Sequence, residues 1–544
     1  MELPAPNPPR RQRLILLTLA FAALVVAWLG MKDLSDGDPW PANANMDIHN
    51  LADALALNQN LVPAIIDQPG LPQKYLLALD YRARHFAEIL PVWNLKKLRG
   101  SADPLTEIRD LVHISRAHSR ALVLLFILGG AALVWSGTRS VESACLAVIL
   151  LGGSSGLLYH GLLSRPDLLC LLFGGVLGLL GAWRGTADPA APGNYRWLLL
   201  AGFFGGLAVL TKLPGLYYFA TLWLWCWLAA GTAPAAPVAR KEILWAGLLS
   251  VASAALALGL AFHFAKQGQP LPAVAGSRLR VVAGVAGVLP WLALLAGRNR
   301  YAVFVTGRAR ELALLAAGAL ATVPFSYLAL RAVLSEAQAA AYLSRVVQLV
   351  LDPGPLLSAL LPPPANFGGE FLKCLKESPF VIAGALAALG VLVARRSIPW
   401  SRKIFAAVLL LNAAGMAVLL SRYYFLDQFT LYLQVPLLLI WPCVAFELGL
   451  WRASPAPAGI HWAAPLVIIA AATLLATGWF RVRQKYDAGH PAGRPLAGEP
   501  TLTFLFDHGA HPPEYRQLML DRYHSREEFT RTLERFLANP ATRY

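Results

Sequence analysis

Two carboxylates and a few cations stand out because they lie at the ends of apolar runs instead of inside them. Asp47 sits in "NANMDIHNLADALALNQN", and Lys74 and Tyr75 follow in "DQPGLPQKYLLAL". Ser164, Arg165, Pro166 and Asp167 form "SRPD"; Lys212 lies in "AVLTKLPG"; Arg422 and Tyr423 lie in "SRYYFLDQ". The central turns of the apolar runs hold no Asp, Glu, Lys or Arg. Ion-coupled transporters and pumps place ionisable groups there, so any chemistry in this chain belongs at the membrane boundary. Each residue also has an ordinary structural account. Asp47 could cap a surface helix. Ser164, Pro166 and Asp167 suit a helix start, as cap, opening residue and dipole complement. Lys212 could snorkel from a span end, and Arg422 could anchor an aromatic belt. Asp53 and Asp67 read as solvated loop or cap residues, and His49, His85 and His160 as isolated structural histidines.

The elements that must position these groups are membrane spans. Of the 544 residues, 57% are hydrophobic and only 14% are charged, against about 25% charged in soluble domains. The mean hydropathy is +0.52. Apolar runs recur at a length that crosses a hydrocarbon core of about 30 Å as a helix. They predict about thirteen spans: 14–31, 120–137, 141–161, 167–183, 196–211, 214–231, 243–264, 280–297, 311–333, 380–394, 403–421, 428–449 and 461–480. The run after "RRQR" lacks a small-residue cleavage site and reads as a retained first span. The five cysteines are scattered singly, without metal spacing, and four fall inside apolar runs as small hydrophobes.

The net charge of +16 does not point to nucleic acid, because the arginines cluster at the ends of the runs. With the N-terminus inside, about 17 Lys and Arg fall on the inner short connections and about 6 on the outer ones, as the positive-inside rule requires. Three long segments then lie outside: 32–119, 334–379 and the tail 481–544. The first suits helices lying along the membrane surface, through Leu76, Leu77, Leu79, Phe86, Ile89 and Leu90. The second pairs an amphipathic "AAYLSRVVQLVLD" with the breaker "PPPANFGGE". The tail predicts two helices, near 513–523 and 525–537, in a small polar cap.

Taken together, these segments resemble the GT-C glycosyltransferases. The resemblance is to the bacterial branch of family 39-like enzymes such as protein mannosyltransferases and the lipid A aminoarabinose transferase. "NMDIHNLADALALNQN" is similar to the family's first-loop acidic element, with Asp47 at the acidic position. "DQPGLPQKYLLAL" resembles its "HPP-L-YYLLL" segment, with Gln68 at the histidine and Gly70 at a proline. "SRPDLLCLLFGG" resembles the second-loop motif, "GLAVLTK" the family's "G-L-A-x-L-T-K", and "SRYYFLDQ" its late "R-Y-x-L-P". Asp47 stands between Met46 and Ile48 where the family often has two adjacent acids. The ordered match covers residues 1 to about 450, and the tail matches no family element.

The resemblance implies an all-α polytopic membrane protein with a GT-C transmembrane domain over 1–480, juxtamembrane helices in the first outer loop and a small periplasmic tail over 481–544. It implies an inverting glycosyltransferase of a bacterial inner membrane, with the N-terminus cytoplasmic and the C-terminus periplasmic. A polyprenyl-phosphate-linked sugar is the donor, and the acceptor is a hydroxyl on a lipid, protein or polysaccharide. Asp47 is the expected base. Asp167 would hold the acceptor, support the base or help bind a divalent cation (Mg or Mn) with Asp47. Arg165, Lys212 and Arg422 would contact phosphate, with Lys74, Tyr75 and Tyr423 lining the substrate. No other cofactor and no nucleic acid is expected. The alternatives are a lipid-linked sugar flippase or other transporter, an O-antigen ligase or polymerase, and a non-catalytic assembly subunit.

Overall fold

The computed structural model describes residues 10–36, 39–64, 70–187, 194–212, 214–229, 300–351, 379–394, 398, 400–420, 426–448, 450, 463–489, 502–509 and 511–539. Every regular element among the described residues is helical. In chain order these are α1 (Arg10–Asp36), α2 (Ala44–Leu57), α3 (Leu71–Phe86), α4 (Leu95–Arg99), α5 (Pro104–Thr138), α6 (Val141–Gly152) and α7 (Ser155–His160). Then come α8 (Asp167–Cys170), which runs on as a π-helical stretch (Leu171–Gly178), α9 (Leu179–Ala187), α10 (Asn194–Thr211), α11 (Pro214–Ala229), α12 (Arg300–Arg331) and α13 (Glu336–Leu351). The chain continues through α14 (Pro379–Ala394), α15 (Trp400–Leu420), α16 (Leu426–Glu447), α17 (Ala463–Gly489), α18 (Pro513–Tyr523) and α19 (Arg526–Ala538).

Among the described residues, four helical stretches are long and apolar enough to cross a membrane: Gln12–Asp36, Pro104–Thr138, Asp167–Thr186 and Glu311–Arg331. Val141–Gly152 and Leu431–Glu447 are shorter apolar helices. In the first and last of the four, only 28% of the apolar window is buried inside the protein. Large side chains such as Leu14, Phe21, Phe325 and Leu328 therefore face outward, a pattern that a lipid environment makes favourable. The expected spans 243–264 and 280–297 lie outside the described residues.

Two expected spans differ in form. The run at 120–137 is the end of a 35-residue helix, roughly 52 Å long at 1.5 Å per residue and well beyond a core of about 30 Å. Asp103 caps its start by accepting from the Thr106 amide, Pro104 opens it, and nothing before Arg139 stops it. Its first turns therefore extend past the apolar run and carry Arg116 and Arg120. The run at 141–161 is not one helix. α6 stops at Gly152, and Ser154 caps α7 by accepting from the Leu157 amide. At Gly153 the backbone of α17 passes so close that a Cβ would lie 2.7 Å from Leu475 Cα.

The chain forms two compact units. The first comprises residues 1–169, 365–398 and 412–544, and the second comprises 170–364 and 399–411. In the first, α6 is packed by α1, α5, α16 and α17, and α16 also packs on α7 and α14. Gln434 of α16 binds the α6–α7 break, its Oε1 accepting from the Ser154 hydroxyl at 2.9 Å and the Gly156 amide at 3.2 Å. In the second unit α10 and α12 meet backbone to backbone at Gly202 and Gly318, where any Cβ would strike the carbonyls of Leu315 and Leu199. This is small-residue packing of the kind membrane helices use. The tail helices lie at Pro513–Tyr523 and Arg526–Ala538, the second capped by Ser525.

Candidate functional site

The site is built on the link between α1 and α5, where α2 brings four apolar positions, Ile48, Leu51, Leu55 and Ala52, to full burial. That burial turns Asp47, in its first turn, completely inward. The Asp47 carboxylate does not cap α2. Its Oδ2 accepts from Arg116 Nε at 3.0 Å and lies 3.0 Å from Nη2 in the ion pair, and its Oδ1 accepts from the Ser164 amide at 2.8 Å. Arg116, on the extension of α5, is equally buried, and it donates from Nη2 to Trp40 O at 3.0 Å and from Nη1 to Ser35 O at 3.4 Å. This single guanidinium ties α1, the Trp40 turn, α2 and α5 together.

One turn along α2, Asn50 donates to Ser164 O at 2.6 Å. Gln73 of α3 completes the grip. In the orientation that satisfies both ends of its amide, its oxygen accepts from Ser164 Oγ at 3.0 Å and the Arg165 amide at 3.3 Å, and its nitrogen donates to Arg165 O at 3.0 Å. The first-loop helices thus hold the backbone of the "SRPD" connection on both polar edges. Arg165 is left differently. Its Nε and Nη1 are buried without a hydrogen-bond partner among the described residues. Guanidinium donors buried without a partner are costly, and an anion with several oxygens would remove that cost. Asp167, two residues on, is buried at the start of α8, and its Oδ1 accepts from Tyr432 OH of α16 at 3.0 Å.

The remaining sequence-predicted residues fall out as follows. Lys74 is buried and pairs with Asp53 at 2.8 Å, while Asp53 Oδ1 accepts from the Ala64 amide at 2.9 Å. Lys74 therefore braces α3 against α2, and Asp53 is no solvated loop residue. Tyr75 is half-buried on α3. Lys212 is buried in the second unit, where its carbonyl lies 4.0 Å from the Cys170 thiol. Arg422, Tyr423 and Asp67 lie outside the described residues.

Sequence reasoning missed Arg116. The available signal was the charged stretch "VHISRAHSR" running straight into a span without a helix breaker, which predicts a helix that carries its arginines out of the bilayer. It also misjudged His49 as isolated. The His49 ring lies 4.5 Å from His508 and 4.7 Å from His511, and His511 meets Tyr515 at 4.9 Å. Burial, then His511, His508 and Lys74, push the His49 imidazole from its ordinary 6.5 down to about 3. The tail thus rests on the helix that carries Asp47. Trp40 packs edge-on against Phe536 at 6.4 Å, and Arg99 faces Asp521 at 3.6 Å.

A divalent cation does not fit Asp47 as arranged, because both of its oxygens are engaged and its partner is already a cation. Among the described residues no group of three or more His, Cys, Asp or Glu is arranged to hold a metal ion.

Fold and site together describe an all-helical, multi-pass membrane protein whose gathered polar residues lie at the ends of its apolar helices. Among solved structures, the chain is similar to the archaeal oligosaccharyltransferase AglB from Archaeoglobus fulgidus in complex with an inhibitory peptide and a dolichol-phosphate. That match has 18% identity and a TM-score of 0.46, covering 93% of this chain and 59% of that one. It is also similar to the apo form of the Archaeoglobus fulgidus oligosaccharyltransferase, with 17% identity, a TM-score of 0.48 and the same coverages of 93% and 59%. The complex of the Archaeoglobus fulgidus enzyme with Zn and sulfate matches at 15% identity and a TM-score of 0.42, over 91% of this chain and 57% of that one. The chain therefore spans less than two thirds of the solved chains it matches. No protein-family model and no curated protein matches the sequence.

Proposed function

We propose that this protein is an inverting glycosyltransferase of the GT-C type, with a thirteen-span plan and the N-terminus inside. It moves a sugar from a polyprenyl-phosphate donor to a hydroxyl acceptor at the outer face of a bacterial inner membrane. The observation that carries this reading is the grip of Asp47, Asn50 and Gln73 on Ser164–Arg165, beside which half-buried Arg165 keeps two buried nitrogens, Nε and Nη1, without a partner among the described residues. The acceptor oxygen attacks the anomeric carbon, the bond from that carbon to the lipid phosphate breaks, and the phosphate leaves with the electron pair. Arg165 meets the charge that builds on the departing phosphate.

Asp47 is the proton acceptor for the attacking hydroxyl. A carboxylate oxygen offers about two lone-pair positions, and the Ser164 amide takes one on Oδ1, so the acceptor takes the other. Asp167, held by Tyr432, orients the acceptor. Lys74 works within the protein as a brace, and Lys212, Arg422 and Tyr423 are further contacts for the donor.

The test is a deletion strain compared with its parent for polyprenyl-linked sugars and envelope glycans, complemented by wild type, Arg165→Ala or Asp47→Asn. Accumulation of one polyprenyl-phosphate sugar, reversed by wild type but by neither variant, is the expected result. Unchanged lipid-linked sugars and glycans, or full complementation by both variants, would refute the reading. A donor that accumulates only on the inner leaflet would indicate a flippase instead.

A further inference from the structure

We propose that Arg116 occupies the place a divalent cation would take beside Asp47, acting as the positioning residue of a metal-independent site. This deepens the glycosyltransferase reading and rests on it only for the role of Asp47. Magnesium and calcium bind through several oxygens at once and need carboxylate lone pairs directed at the ion. Here Oδ2 of Asp47 accepts from Arg116 Nε at 3.0 Å with Nη2 also 3.0 Å away in the ion pair, and Oδ1 accepts from the Ser164 amide at 2.8 Å. The guanidinium is fixed in turn by the carbonyls of Trp40 and Ser35. A metal ion on the same oxygen would face a buried, permanently charged group.

The substitution has a structural logic. A cation bridging loops must be gathered from solution, whereas Arg116 is delivered by α5 and orders α1, α2 and the Trp40 turn wherever the chain folds. Its planar fork sets the plane of the Asp47 carboxylate, which a spherical ion does not. Ser164 then fixes the other oxygen, so Asp47 and the "SRPD" connection take up one geometry. Arg116 acts through Asp47 and touches no reacting atom.

The test uses Mn2+ as probe on the purified full-length protein in lipid nanodiscs, with binding followed by electron paramagnetic resonance. Wild type should show no saturable Mn2+ that Asp47→Asn removes. Wild-type binding of one equivalent, lost in Asp47→Asn, would overturn the proposal. Arg116→Met should gain a Mn2+ site, and the double variant with Asp47→Asn should lose it again. A well-folded Arg116→Met without that gain would also overturn it, since a merely structural arginine predicts none. If Arg116→Met does not fold, the comparison of wild type with Asp47→Asn decides alone. None of these readouts needs sugar transfer, so they stay interpretable if the glycosyltransferase reading fails.

Discussion

Two arginines, Arg116 fully buried and Arg165 half-buried, flank the same stretch of backbone, and they are treated in opposite ways. Arg116 reaches Ser164 through Asp47 and has its donors matched by a carboxylate and two carbonyls. Arg165 adjoins Ser164 in the chain and has two buried nitrogens without a partner among the described residues. The same chemical group thus has its donors matched in one place and two of them unmatched in the other. Satisfaction separates them as well as burial: a matched guanidinium stabilises the fold, and buried donors left unmatched cost stability unless a ligand supplies the anion.

The largest effect that would break this contrast is on Asp47. Asp47→Asn keeps an oxygen for Arg116 but loses the proton acceptor, so transfer should fall about 100-fold or more, measured with the accumulated donor. Asp47→Ala removes the partner altogether and should lower stability by about 3–5 kcal/mol, read by thermal unfolding in detergent. Arg165→Ala should do the reverse. Transfer should drop on the order of 100-fold while the unfolding temperature holds or rises. A clear loss of stability there would mean the guanidinium has a partner in the fold.

A smaller effect concerns the tail. His49 resists protonation in the fold to about pH 3 and would titrate near 6.5 once released. The stability it contributes is full above pH 6.5 and drains away as pH falls toward 3. Proteolysis of the 502–539 segment should therefore speed up on acidification through that window, and His49→Phe should flatten the dependence. The smallest expected change is Tyr432→Phe, which removes one hydrogen bond to Asp167 and should cost about 1 kcal/mol in the same unfolding measurement.

Much of the fold was legible. Several of the apolar runs and the two tail helices expected near 513–523 and 525–537 match described helices. The break at Gly153 was not, because it answers to the backbone of α17 more than 300 residues away. The site was half legible. Asp47 and "SRPD" stood out by type and position, but Arg116 was not singled out, and Lys74, expected to line the substrate, is buried against Asp53.

By itself the sequence determined what depends on neighbours along the chain: which runs are long and apolar enough to cross a bilayer, and where helices start. Those properties follow from lengths measured against lipid thickness and from amides left open in a first turn. The tertiary structure alone decided that Asp47 meets an arginine 69 residues away and a serine amide 117 residues away. A carboxylate carries the same charge whether it caps its own helix or locks two distant segments together. Only packing, by closing off water and leaving one set of donors within reach, chooses between them.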